Sequence, residues 1–174
     1  DVWRPCDSVE SALAWIKAGE RRDGPSILVF SRQNLQFQKR DPEGLAAIAR
    51  GAYVLADCAG APQALILATG SEVQLAMGAQ AKLAEEGVRA RVVSMPSTSV
   101  FDRQDAAYRE TVLPRGVPRV AVEAGVSDYW RKYVGLDGAV IGIDRYGESA
   151  PGPALFKHFG FTVDSVMAAV KSVI

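Results

Sequence analysis

The sequence predicts an α/β fold of three layers, with a mostly parallel sheet and one antiparallel strand at its edge. Two observations carry this. Beyond Gly51, short apolar runs alternate with segments of helical periodicity, and strands separated by helices imply parallel pairing through right-handed crossovers. The bulk composition is that of a chain able to build a core: 174 residues, 48% hydrophobic and 23% charged.

The first stretch reads as a helix followed by a strand. Asp7 is a good N-cap, and Glu10 follows three residues later as in a capping box. Val9, Ala12, Leu13 and Ile16 then fall on one helical face. Gly19 and the polar run Glu20–Asp23 end the helix, and Gly24-Pro25 turns the chain into a buried strand at Ser26–Phe30. This pair is too short to enclose a core alone and must pack on the rest of the chain or on further sequence. The opening Asp1-Val2-Trp3-Arg4-Pro5 has neither an initiator methionine nor a signal-peptide pattern, so the expectation is a start inside a longer polypeptide. Residues 34–50 read as a polar linker, weakly helical after Asp41-Pro42 and ending near Gly51.

The second unit starts with a short edge strand at Tyr53–Leu55 and a continuous apolar strand at Ala64–Ala68. Thr69-Gly70-Ser71-Glu72 turns into a helix capped by Ser71, whose apolar face includes Val73, Ala76, Leu83 and their neighbours and which stops at Gly87. A strand at Val88–Ser94, a helix over Asp102–Val112 and a strand at Arg119–Glu123 follow. A short aromatic helix then carries Tyr129, Trp130 and Tyr133 ahead of a strand at Ala139–Ile143. Pro153 opens a helix closing at Gly160, and Thr162 caps the last one. No internal repeat or low-complexity tract occurs.

Charge and cysteine usage exclude several classes. Lys plus Arg and Asp plus Glu number 20 each and are interspersed, so nothing steers the chain toward nucleic acid or an anionic membrane. No run of about 18 apolar residues predicts a transmembrane helix. Two cysteines without CxxC spacing, Cys6 and Cys58, favour neither structural zinc nor a disulfide scaffold; a reduced cytoplasmic setting is the simpler expectation.

Five candidates for chemistry stand out. Arg32 follows the predicted strand in Ser31-Arg32-Gln33-Asn34-Leu35; a guanidinium at a strand's carboxyl end suits a bidentate grip on phosphate, with an ion pair to a nearby carboxylate as the alternative. Thr69-Gly70-Ser71-Glu72 could offer free amides to an anion, against the plainer reading of a strand-to-helix turn. Glu123 could face a cleft, cap the following helix or pair with an arginine. His158, the only histidine, reads as a residue at a helix C-terminus rather than a catalyst. Tyr129, Trp130 and Tyr133 read as core or interface aromatics.

Several segments, taken in order, resemble the transketolase family. They are Trp3-Arg4-Pro5-Cys6-Asp7, Ser31-Arg32-Gln33-Asn34-Leu35, Ala68-Thr69-Gly70-Ser71-Glu72-Val73 and Arg91-Val92-Val93-Ser94-Met95-Pro96-Ser97-Thr98, then Gln104–Arg109, Val122-Glu123-Ala124-Gly125, Asp128-Tyr129-Trp130 and Gly147-Glu148-Ser149-Ala150-Pro151. Tyr146 stands where Phe is expected. The resemblance covers the last quarter of such a chain. It implies that residues 1–50 are the end of a pyrimidine-binding domain with its linker, and that 51–174 are the C-terminal domain. It further implies a homodimeric enzyme moving a two-carbon ketol unit between sugar phosphates in the pentose phosphate pathway, using thiamine diphosphate and Mg2+ or Ca2+. Arg32 falls at the family's sugar-phosphate-binding arginine. The Gly-Asp-Gly…Asn motif for metal and diphosphate, the activating glutamate and the active-site histidines have no counterpart here, so no catalytic, cofactor or metal residue is assigned. Alternatives are the same domain of a deoxyxylulose phosphate synthase or a keto-acid dehydrogenase beta-type subunit, or a non-catalytic anion-binding module at Ser71.

Overall fold

The computed structural model describes residues 1–174, which form two sheets. Val2–Trp3 (β1) pairs in parallel with Ile27–Leu28 (β2), and Ser8–Glu20 (α1) is the crossover between them. Pro42–Ala47 (α2), capped by the Asp41 side chain on Gly44 N–H at 2.7 Å, leads through a 3-10 turn to Gly51. The second sheet contains Tyr53–Ala56 (β3), Ala64–Ala68 (β4), Ala90–Ser94 (β5), Arg119–Val122 (β6) and Ala139–Ile141 (β7). Between and after these strands run Val73–Glu85 (α3), Thr98–Asp102 (α4), Ala106–Val112 (α5), Arg131–Val134 (α6), Gly152–His158 (α7) and Val163–Val173 (α8).

The strand order is β3-β5-β4-β6-β7, with every pairing parallel except that of β3 with β5. The expected antiparallel edge strand is therefore β3. Side chains alternate across β4, so Ala64, Ile66 and Ala68 enter one layer and Leu65 and Leu67 the other. The first layer packs against Val73, Ala76, Ala79 and Leu83 of α3 and Val166, Met167 and Val170 of α8. The second packs against Phe101, Val112, Trp130 and Tyr133. Full burial of one Leu or Val contributes about 1.5–3 kcal/mol, and both faces of β4 are covered. That explains why its five residues read as an unbroken apolar run.

Several expected boundaries move. The helix expected over Asp102–Val112 is two helices, because Asp105 accepts the Tyr108 N–H at 2.7 Å and starts α5 afresh. β5 begins at Ala90 rather than Val88, since Gly87 and Val88 still bond back to the end of α3. α1 continues through Gly19 to Glu20, and Glu10 and Ala14, not the stripe Val9–Ile16, form its buried face. The stripe stays partly open, with Ile16 51% exposed. The strand expected at Ser26–Phe30 is limited to Ile27–Leu28 and is not buried: β1 offers it a partner only two residues long, and Ile27 is 57% exposed.

Candidate functional site

After β2, the Val29 N–H still donates to Trp3 O at 2.8 Å, and then the chain leaves the sheet and bends at Arg32–Gln33. Arg32 therefore sits on an exposed loop rather than at the end of a buried strand, which corrects the sequence reading. Arg32 makes no ion pair or hydrogen bond, so the ion-pair alternative has no support, and its guanidinium is open to an anion.

Behind this loop lies a buried ionic network. Asp7 caps α1 by accepting the Glu10 N–H at 3.0 Å. Its other oxygen accepts the Gln38 N–H at 3.0 Å and Arg40 Nη1 at 2.6 Å. Arg40 Nε donates to the Tyr53 hydroxyl at 2.6 Å, which donates onward to Glu10 Oε1 at 2.7 Å. Ser94 Oγ reaches the same oxygen at 2.6 Å, and Cys6 N–H donates to Glu10 Oε2 at 2.7 Å. The capping box is thus shifted by one residue, with Glu10 reaching Cys6 instead of Asp7. Burial first, and then the neighbouring Glu10 carboxylate, push the Cys6 thiol and the Tyr53 phenol far up, so both stay protonated.

The crevice at the carboxyl ends of β4, β5 and β6 is where a doubly wound sheet ordinarily takes a ligand. Here the chain fills it with its own segment. Arg4 O accepts from Gly70 N–H and Thr69 Oγ, both at 3.1 Å, and Arg4 N–H donates to Pro96 O at 2.7 Å. The Arg4 guanidinium pairs with Glu123, which also accepts the Trp130 indole N–H. Glu123 thus pairs with an arginine, as one reading allowed, and does not cap a helix. A cavity of about 360 Å³ remains beside the pair.

Ser71 caps nothing. Residues 70–72 form a 3-10 turn, α3 starts at Val73, and Ser71 Oγ donates to Glu72 Oε2 at 3.2 Å. The Gly70 N–H is used by Arg4, the Glu72 N–H by Thr69 O, and the fully buried Glu72 carboxylate accepts the Ala124 N–H at 3.1 Å. An anion there would meet a carboxylate instead of free amides, so the anion-binding module is not supported. His158 ends α7, exposed, with Nε2 at 3.2 Å from Glu148. Trp130 and Tyr133 are buried, as the core reading expects, and Tyr129 is exposed.

No group of three or more His, Cys, Asp or Glu side chains converges to hold a metal. The residues present do not fit a metal–diphosphate site. Sequence reasoning missed Arg4, Glu10 and Arg40 as joints between the two sheets. Only Glu10, singled out by its capping-box position, carried a signal.

Together these features define an α/β unit that presents a free guanidinium on a loop and has used its own strand-end crevice as a joint. Residues 51–162 match the family described as the transketolase-like TK C-terminal domain, and the chain belongs to the transketolase family. It is 63% identical over 174 residues to transketolase 1 of Escherichia coli (strain K12), covering 99% of this chain and 26% of that protein. Transketolase 2 of Aliivibrio fischeri is 58% identical over the same shares. Among solved structures, transketolase from Leishmania mexicana superposes with a TM-score of 0.91 at 41% identity, over 99% of this chain and 25% of that one. A Pichia stipitis transketolase solved with sedoheptulose 7-phosphate gives 0.88 at 38% identity, over 99% and 25%. The chain spans about a quarter of the length of the curated relatives it matches.

Proposed function

We propose that this chain is the C-terminal part of a transketolase, the enzyme that transfers a two-carbon ketol unit from a ketose phosphate to an aldose phosphate. In this reading residues 1–50 complete the pyrimidine-binding domain, residues 51–174 are the C-terminal domain, and Arg32 grips the sugar phosphate. The observation that carries it is the unpaired, exposed Arg32 in its Ser-Arg-Gln setting. A guanidinium without a competing carboxylate pays no ion-pair loss when a phosphate arrives, and its planar fork matches the phosphate oxygens.

Thiamine diphosphate, with Mg2+ or Ca2+, would supply the carbanion chemistry from sites in the remainder of the enzyme. This chain's part is to bind, orient and support, and turnover needs the other domains and a second subunit. The half-exposed apolar side chains around α1 and β2, Trp15 and Phe30 among them, would be covered by the preceding part of the same polypeptide. No helix is long and apolar enough to cross a membrane, and the reading places the enzyme in the cytoplasm.

The test is Arg32→Ala in the full-length enzyme. Loss of a charge-assisted contact, worth about 1.5–3 kcal/mol, should raise KM for phosphorylated sugars roughly 10- to 150-fold. Unphosphorylated substrates should be affected far less. Equal effects on both would overturn the role assigned to Arg32.

A further inference from the structure

We propose that Asp7, through its clamp with Arg40 on Gln38, is the positioning residue that fixes the Arg32 loop against the five-stranded sheet. The proposal rests on the phosphate-binding reading of Arg32 and adds to it how that side chain is held.

The loop that carries Arg32 has no main-chain partners of its own. Between Val29 and Gln38, residues 30–37 make no backbone–backbone hydrogen bond. A segment of that kind is held by its ends and by side-chain packing. One end is fixed by Val29 N–H on Trp3 O at 2.8 Å. The other is Gln38, 8% exposed, the only buried residue of the stretch that follows Arg32 before the network. Both of its backbone polar groups are taken by one ion pair: its N–H donates to Asp7 Oδ2 at 3.0 Å, and its C=O accepts Arg40 Nη1 at 2.7 Å.

That ion pair is itself locked in place. The Asp7 and Arg40 side chains are each 1% exposed, and the second carboxylate of the network, Glu10, is 0% exposed. Arg40 reaches Tyr53 of β3 directly, and Glu10 reaches Tyr53 and Ser94 of β5. The loop's C-terminal anchor is thereby referenced to α1 on one side and to the central sheet on the other. Midway along the loop, Gln33 lies so near Gly152 that a Cβ there would stand 2.6 Å from its Nε2, so the loop also rests on the start of α7.

Burying two carboxylates with one guanidinium is a poor way to gain stability, because desolvation offsets most of the attraction. It is an effective way to impose one geometry, since each acceptor and donor is satisfied in only one arrangement. A charge-assisted grip on phosphate needs that kind of fixed geometry.

The experiment is a double-mutant cycle in the full-length holoenzyme, pairing Asp7→Asn with Arg32→Ala. It is read as kcat and KM with a phosphorylated ketose and with the same ketose lacking the phosphate. Asn keeps the shape but not the charge: with its oxygen toward the Gln38 N–H and Arg40 Nη1, its NH2 stands against the Glu10 N–H, and with the amide flipped the NH2 stands against those two donors instead. Asp7→Asn alone should raise KM for the phosphorylated sugar about 3- to 10-fold, less than Arg32→Ala does. KM for the unphosphorylated sugar and kcat for both should move much less. In the Arg32→Ala background, Asp7→Asn should add nothing further to the KM for the phosphorylated sugar.

A selective Arg32→Ala combined with an Asp7→Asn effect that multiplies with it, or that strikes both sugars alike, overturns the positioning role and leaves the phosphate reading standing. An unselective Arg32→Ala takes down both. Should Asp7→Asn fail to fold, Arg40→Lys is carried through the same cycle. It keeps the charge beside Asp7 but loses the fork that holds Gln38 O and Tyr53. The same selectivity is then expected, and its absence overturns the proposal.

Discussion

Two acidic residues that follow β4 and β6, Glu72 and Glu123, show how neighbours decide what a carboxylate does. Glu123 pairs with Arg4 and takes the Trp130 N–H, whereas Glu72 is fully buried with only hydrogen-bond donors beside it. Burial raises the Glu72 carboxyl above its ordinary 4.5, and the more distant Arg4 charge and the Ala124 amide only partly offset this. A raised folded-state value means that the native state holds the proton more tightly than the unfolded chain does. The associated stability is fully present below 4.5 and is lost as pH rises through the folded value. Glu72→Gln keeps an acceptor for Ala124 and has no charge to desolvate. Its Tm relative to the parent should therefore rise as pH increases above about 4.5, when melting is followed from about pH 4 to pH 8. A difference that stays constant with pH would show that ionisation of Glu72 costs nothing. From the sequence, Arg32 could be picked out by its place after a strand, but its exposure could not. Exposure depends on what covers β2, and that information lies in partners distant along the chain.

At the scale of elements, local chemistry was most legible where a side chain bonds to backbone a few residues away. Asp7, Asp41 and Thr162 all cap the helices that follow them. Thr162 accepts the Ser165 N–H at 3.1 Å and starts α8, which packs on both α3 and the sheet. Thr162→Ala should cost about 1 kcal/mol, to be read as a lower denaturation midpoint in urea at unchanged slope. A change beyond about 2 kcal/mol would point to packing around Phe161 instead. Legibility failed where a polar residue belongs to a long-range network. Glu10 looked like half of a local capping box, yet its carboxylate serves Tyr53 and Ser94, far away in sequence. The two faces of α1 were exchanged for the same reason. Periodicity located an apolar stripe, but the buried face is chosen by tertiary contacts: Glu10 reaches Tyr53 and Ser94 of the central sheet, and Ala14 is buried on the same helix.

Across the whole molecule, the sheet from β3 to β7 is covered on both faces, while α1 and the β1–β2 pair are covered on one. Trp15 stacks on Phe30 with ring centroids 6.2 Å apart, and they are 62% and 44% exposed, with Phe37 at 64%. Apolar side chains clustered in this way mark a surface made to be covered. In the full-length transketolase proposed above, hydroxyl-radical footprinting should find Trp15, Ile16, Phe30 and Phe37 protected, whereas the same residues in the isolated 174-residue chain should react. Equal reactivity in both would mean that the proposed preceding domains do not cover this face. The three-layer architecture itself was readable because alternating strand and helix segments admit few topologies. The use of Arg4 as the link between the two sheets was not. That link has a consequence for how such a domain can evolve or be drugged. An occupant tethered by a few covalent bonds is present at an effective concentration that no diffusing molecule matches. A small molecule aimed at the mouth of β4 would compete with a plug that never dissociates into bulk solvent, so only a compound that prefers the neighbouring cavity, with Arg4 still seated, could gain a foothold there.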